Sequence, residues 1–199
     1  MAEKIREPKQ QRSIEKKNKI IQAGYELFAE KGYFNTNTAE IAKRAGVSTG
    51  IVYGYFHDKR DILLDVLDIY IKDVFDPVLA LFDEVTTSIN LNELVPAIIE
   101  KVVATHKDNA AIHEALHSLT STDPIVEEKF KTLEGEMTTK IASVLKKHGY
   151  SQKDLIERVH TAIGLYQSFS HEVVFDDHPY INYDNMRAIT INLIISLFE

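Results

Sequence analysis

No cysteine occurs anywhere in the chain, which excludes a disulfide framework and any thiolate-bound metal, and is compatible with a reducing cytoplasm. No run approaches the roughly 20 apolar residues needed to span a bilayer. The opening MAEKIREPKQQRS has no apolar region of a secretory signal, so the expected location is the cytoplasm, with no membrane partner. No stretch alternates apolar and polar residues in the manner of a half-buried strand, and there is no internal repeat or low-complexity linker. Also missing are a glycine-rich phosphate loop and any serine or histidine in a nucleophile-elbow setting. The chain is therefore not expected to be an enzyme, and no cofactor or metal is expected. What is present is a 44% apolar share over 199 residues, enough for a sizeable core. Acidic residues exceed basic ones, for a net charge of −7, but the excess is uneven. Residues 1–65 carry 12 basic against 9 acidic side chains, and the remaining 134 carry 11 against 21. Screening confines charge effects to roughly 8 Å at physiological salt, so a basic first third can meet an anion despite an acidic remainder.

That first third contains AGVSTGIVYGYFHDKRDIL, from Ala45 to Leu63. Gly46 suits the left-handed residue that closes a helix, and Ser48 can cap the next one. Upstream, Asn37 and Glu40 have the spacing of a capping box, and Ile41, Ala42 and Ala45 form a short apolar stripe. Helix, glycine-containing turn and helix make a helix-turn-helix. In its second helix, predicted over residues 49–56, only Val52 and Phe56 share an inward face. Thr49, Gly50, Ile51, Tyr53, Gly54 and Tyr55 are left outward or on the rim. Interior glycines cost about 1 kcal/mol each relative to alanine, which suggests an outer face that something approaches closely. A DNA groove meets that need. Asp58 reads as the cap of the following helix, because a carboxylate would repel phosphate. Lys59 stands at that helix start against the helix dipole, a placement easier to understand with phosphate nearby.

These residues resemble the TetR-type transcriptional regulators. The resemblance runs through Ile20, Ile21, Ala23, Leu27, Phe28, Gly32, Tyr33 and Thr36, then Ile41, Ala42 and the AGVS of Ala45–Ser48. It continues through Tyr53, Tyr55, Phe56, Lys59 and Leu63. Asn37 stands where the family usually has threonine, Thr38 where it has an apolar residue, and Ile51 where threonine or serine is common. Ile51 would touch a thymine methyl rather than donate a hydrogen bond. The resemblance implies an all-α protein in which a three-helix helix-turn-helix DNA-binding domain joins a larger helical ligand-binding and dimerisation domain. It implies DNA contacts from Asn37, Ser48, Thr49, Gly50, Ile51, Tyr53, Tyr55 and Lys59. The expected division is a basic tail over 1–12, the helix-turn-helix domain over 13–60 and the effector and dimerisation domain over 61–199.

Beyond Leu63 the pattern remains helical. A fourth helix is predicted from Asp58 to Phe75, stopping at Asp76-Pro77 because the residue before proline is pushed out of the helical region. Others are predicted at about 78–87, 92–106 and 109–119. The next should open at Asp123-Pro124 and close at His148-Gly149, another should begin at Ser151 and Asp154, and the last should span 185–198. The last helix is apolar on more than one side, with Met186, Ile189, Leu193 and Leu197 beside Ile191, Ile194, Ile195 and Phe198. In the helix before it, Ala162, Ile163, Tyr166, Phe169 and Val173 form a stripe, and Gly164 admits close approach. Each is also an ordinary core residue. The family resemblance implies a homodimer through these two helices, which would set two reading helices about 34 Å apart on a near-palindromic operator. It also implies a small-molecule effector, for which Phe82, Val102, His113, Leu116, His117, Tyr166 and Phe169 are candidate lining. The alternatives are a DNA-binding protein without small-molecule control, marked by a packed distal interior, and a zinc hydrolase. The zinc reading rests on His113, Glu114 and His117, whose HEALH matches HExxH, a pattern short enough to arise by chance.

Overall fold

The computed structural model describes residues 10–83, 88–176 and 178–199. Every regular element among them is helical: α1 Gln11–Lys31, α2 Thr38–Arg44, α3 Thr49–Tyr53, α4 Lys59–Asp83, α5 Leu91–Asp108, α6 Ala110–His117, α7 Pro124–Lys147, α8 Leu155–His171 and α9 Tyr183–Ser196. A π-helical turn, Glu172–Asp176, follows α8. The all-α expectation holds.

The chain forms two compact units. The first comprises the described residues up to Ile71 together with Ala111–Glu128, and the second Lys72–Ala110 with Lys129–Glu199. They differ from the 13–60 and 61–199 division read from the sequence. Of the expected tail, residues 1–9 lie outside the described residues, and α1 already begins at Gln11.

In the first unit Ile20, Phe28, Ile41, Val52, Ile62, Val66 and Leu67 have no exposed surface. Gly24 brings α1 close to α4: a Cβ built there would lie 2.7 Å from Ile62 Cγ2 and 3.5 Å from Val66 Cγ2. Arg44 of α2 braces α1 through a two-pronged pair with Glu30, at 2.7 and 2.8 Å, and a 3.1 Å bond to Glu26. The second unit buries Val95, Ile98, Ile99, Val159, Ile163, Phe169 and Ile194 in one core. There α5 packs on α8 and α9, and α8 packs on α9. Arg158 donates to the Leu197 carbonyl, and Gln152 donates to the Phe198 carbonyl at 3.1 Å, so the end of α9 is tied to α8.

Three expectations about helices are corrected. The fourth helix does not stop at Asp76; α4 runs through Pro77 to Asp83. Interior proline removes one helical hydrogen bond and costs about 3 kcal/mol. Val74, Val78 and Phe82, spaced by four along one stripe, are 6%, 6% and 7% exposed. Burying side chains of these kinds stabilises by about 1.5–3 kcal/mol each, more than enough to carry the helix past the proline. The separate helix over 78–87 therefore does not exist as such: Val78–Asp83 belong to α4, and residues 84–87 lie outside the described residues. Second, α3 ends at Tyr53 rather than at Phe56. Third, neither Ser151 nor Asp154 caps α8 with its side chain; the Asp154 carboxylate instead accepts from Arg158 Nε at 2.9 Å. By contrast Asp123 caps α7 as expected, accepting from the Ile125 and Val126 amides at 2.9 and 3.3 Å, and Gly149 at φ +97° follows its end.

Candidate nucleic-acid interface

Local chemistry specifies the segment from α2 to α3. Asn37 accepts from the Glu40 amide at 3.0 Å and Glu40 accepts from the Asn37 amide at 3.1 Å, completing the capping box. Ile41 and Ala42 turn inward. Gly46 adopts φ +68°, a conformation costly for any residue with a Cβ, and the Val47 amide returns to the Ala42 carbonyl at 3.0 Å. Ser48 then caps α3, accepting from the Ile51 amide at 3.4 Å. Val52 is fully buried and Phe56 is 2% exposed, so these two anchor the short helix.

Its other face is open. Tyr53 is 54% exposed, Gly50 and Gly54 are exposed, and Thr49, Ile51 and Tyr55 are half-buried. The two glycines have different reasons. A Cβ on Gly54 would press on the Ile51 carbonyl at 3.2 Å, so the protein itself prefers glycine there. A Cβ on Gly50 would meet nothing nearer than Ser48 Oγ at 4.0 Å. Nothing among the described residues asks for glycine at residue 50, which leaves the backbone bare toward the outside.

Lys59 departs from a simple surface cation. Its ammonium donates to the main-chain carbonyls of Tyr33 at 2.6 Å and Thr36 at 2.7 Å, and it sits 4.1 Å from the centre of the Tyr33 ring. Loss of solvent holds its pKa below the usual lysine value. Asp58 caps α4 as read, accepting from the Arg60 and Asp61 amides at 2.7 and 3.1 Å. Arg60 forms a two-pronged pair with Asp123, at 2.6 and 2.7 Å, so the first turn of α4 is tied to the start of α7. The sequence reading missed this pair. The Asp-Pro cap was legible, but nothing local connects it to an arginine 63 positions earlier.

The expected effector residues are divided between the two units. His113, Leu116 and His117 belong to the first unit, whereas Phe82, Val102, Tyr166 and Phe169 belong to the second, where all four are at most 9% exposed. Within HEALH, His113 is buried and its Nδ1 shares a hydrogen bond with the Tyr70 hydroxyl, while its ring lies 4.0 Å from that of His117. Burial pushes the Tyr70 hydroxyl pKa well up, keeping it neutral. The first histidine of the motif is thus built into the packing of its unit. Elsewhere, in the second unit, a groove of about 360 Å³ lies among α5, α8, the π-helical turn and α9. Of the seven candidates, Phe169 lines it.

A short capped helix held by two buried side chains, with an open outer face and a tight preceding turn, is the reading element of a helix-turn-helix DNA-binding protein. Residues 20–66 match the model of "Bacterial regulatory proteins, tetR family". The HTH-type transcriptional regulator HbdR of Aromatoleum sp. (strain CIB) is 45% identical over 64 residues, 30% of this chain and 28% of that protein. The uncharacterized HTH-type regulator YuxN of Bacillus subtilis is 28% identical over 135 residues, 68% of this chain and 46% of that protein. The chain thus spans less than half the length of these curated relatives. Over the whole fold, a crystal structure from Mesorhizobium loti MAFF303099 assigned to the TetR family superimposes with a TM-score of 0.77 at 20% identity, covering 94% of this chain and 97% of that one. Residues 20–66 of this chain are thus similar to the DNA-binding segment of the TetR family of bacterial regulatory proteins, and the fold as a whole is that of the solved structure it superimposes on.

Proposed function

We propose that the chain is a dimeric, operator-binding transcriptional repressor released from DNA by a small molecule. The observation that carries the reading is the outer face of α3, where a half-exposed tyrosine stands beside a glycine that the protein's own packing does not require. Asn37, Ser48, Thr49, Gly50, Ile51, Tyr53 and Tyr55 supply the contacts to phosphate and base edges, and the amino termini of α2 and α3 add their dipoles.

The dimer reading is supported by α8 and α9. On α9 Ile194 is buried in the core, whereas Ile189 is 59% and Leu193 50% exposed. Ile156 of α8 is 53% exposed, and a Cβ on Gly164 would meet no atom within 4 Å. An apolar helix face left outside after the core is complete is suited to a second copy.

The groove is the place for an effector. Ile99, Val103, Ala104, Phe169 and Val173 form its apolar surface, and Glu100, Lys107, Asp184 and Arg187 supply the polar rim. Arg187 is held by Glu100 at 2.5 Å, and Tyr183 donates to Glu172 at 3.3 Å while accepting from the His178 amide at 2.7 Å. A rim with two acids and two bases selects for a neutral or zwitterionic amphiphile over a strongly charged one. Release by ligand needs a coupling of only about 1–3 kcal/mol, or 5 to 150-fold in operator affinity.

The test is selection of bound duplexes from a random-sequence pool at about 0.15 M salt. One near-palindromic site is the expected product, and no enrichment over bulk DNA removes the reading.

A further inference from the structure

We propose that Lys59 is a positioning residue, whose ammonium ties the turn before α2 to the first turn of α4 and so sets how α2 meets DNA, rather than a ligand of phosphate. This rests on the operator-binding reading above.

The turn concerned is unusually constrained. Gly32 ends α1 at φ +78°, and the buried Thr36 hydroxyl donates to the Gly32 carbonyl at 2.9 Å and the Leu27 carbonyl at 3.3 Å. The Asn35 side chain donates to the Lys31 carbonyl at 3.0 Å, and Lys31 pairs with Glu40 at 2.6 Å. Two carbonyls of this turn, those of Tyr33 and Thr36, converge on Lys59. The next residue, Asn37, is the cap of α2.

An ammonium has three N–H donors, and two are given to these carbonyls. The ring of Tyr33 covers the charge from a further side. A cation at a helix start is opposed by the helix dipole, and two carbonyl oxygens of the turn between α1 and α2 together with an aromatic face offset that opposition from within the protein. Phosphate is not required to explain the placement. A guanidinium is planar and broader, so Lys59→Arg is expected to lose the paired contact to the two carbonyls, although arginine would serve a phosphate at least as well.

The experiment compares the full-length protein with its Lys59→Met and Lys59→Arg variants. Affinity for the selected duplex is measured from 50 to 200 mM salt, and amide hydrogen exchange over residues 35–40 is followed without DNA. A positioning role gives at least a 10-fold loss of affinity in both variants, an unchanged salt slope, and at least 10-fold faster exchange over residues 35–40. A phosphate ligand would give the opposite pattern: a slope reduced by about 0.9 in Lys59→Met, near-normal binding in Lys59→Arg, and unchanged exchange. That pattern overturns the proposal, and so does unchanged affinity in both variants. If the unaltered protein enriches no duplex, the operator-binding reading fails by itself and the exchange measurement alone decides the role of Lys59. Should Lys59→Met not fold, Tyr33→Leu, which removes only the ring beside the ammonium, is expected to show a smaller loss with the same unchanged slope.

Discussion

Replacing glycine by alanine inside a helix ordinarily stabilises it by about 1 kcal/mol, because alanine loses less backbone entropy. Two helical glycines of this chain should respond with opposite signs. At Gly24 the new methyl would stand 2.7 Å from Ile62 Cγ2, well inside van der Waals contact, and Ile62 has no exposed surface into which to move. Relieving such an overlap in a packed core costs about 1–3 kcal/mol. Set against the propensity gain, the net change for Gly24→Ala is a loss of roughly 1 kcal/mol. At Gly135, on an exposed position of α7, a Cβ would meet nothing within 4 Å, so Gly135→Ala should gain roughly the full 1 kcal/mol. The assay is urea unfolding at one fixed protein concentration, since self-association would otherwise shift the midpoint. Leucine lacks the β-branch methyl that clashes, so Ile62→Leu in the Gly24→Ala background should recover part of the loss. Equal stabilisation by the two alanines would refute the argument that α1 and α4 touch through Gly24.

Three further outcomes are expected. Arg60 beside Asp123 holds that carboxyl below its ordinary 3.8, at about 2. A depressed carboxyl pKa contributes stability above about 3.8 that is lost as pH falls through about 2. Screening at this partly exposed pair reduces the contribution to about 1 kcal/mol, so Asp123→Asn should cost that much at pH 7, and the difference should shrink between pH 4 and pH 2 in urea titrations. Replacing Ile189 and Leu193 of α9 together by lysine should convert a dimer to a monomer in analytical ultracentrifugation while the helical circular dichroism stays unchanged; a dimer that persists would place the interface elsewhere. Tyr53→Ala should weaken binding to the selected duplex by at least 10-fold with an unchanged unfolding midpoint, because the side chain is half exposed, and a lowered midpoint would show that its ring serves packing instead.

The local elements of the reading head were legible because each depends on neighbours in sequence. The Asn37–Glu40 box, the left-handed Gly46, the Ser48 cap and the inward pair Val52 and Phe56 all act within four residues, and all stand as read. The Asp123 cap and Gly149 stop of α7 have the same local origin. Pro77 failed as a stop signal because a local cost was outweighed by burial of Val74, Val78 and Phe82, which only the fold supplies.

The same division applies to function. By itself the sequence determined a helical chain with a helix-turn-helix near its start, since periodicity and capping are encoded within a few residues and the apolar content is sufficient to bury them. Tertiary structure alone decided which charges are spent inside the protein. It turned Lys59 toward two carbonyls more than twenty residues away in sequence and paired Arg60 with Asp123. It also drew His113 onto Tyr70, and gathered a groove from α5, α8, the π-helical turn and α9. Such pairings depend on where helices cross in space, and no spacing along the chain records that.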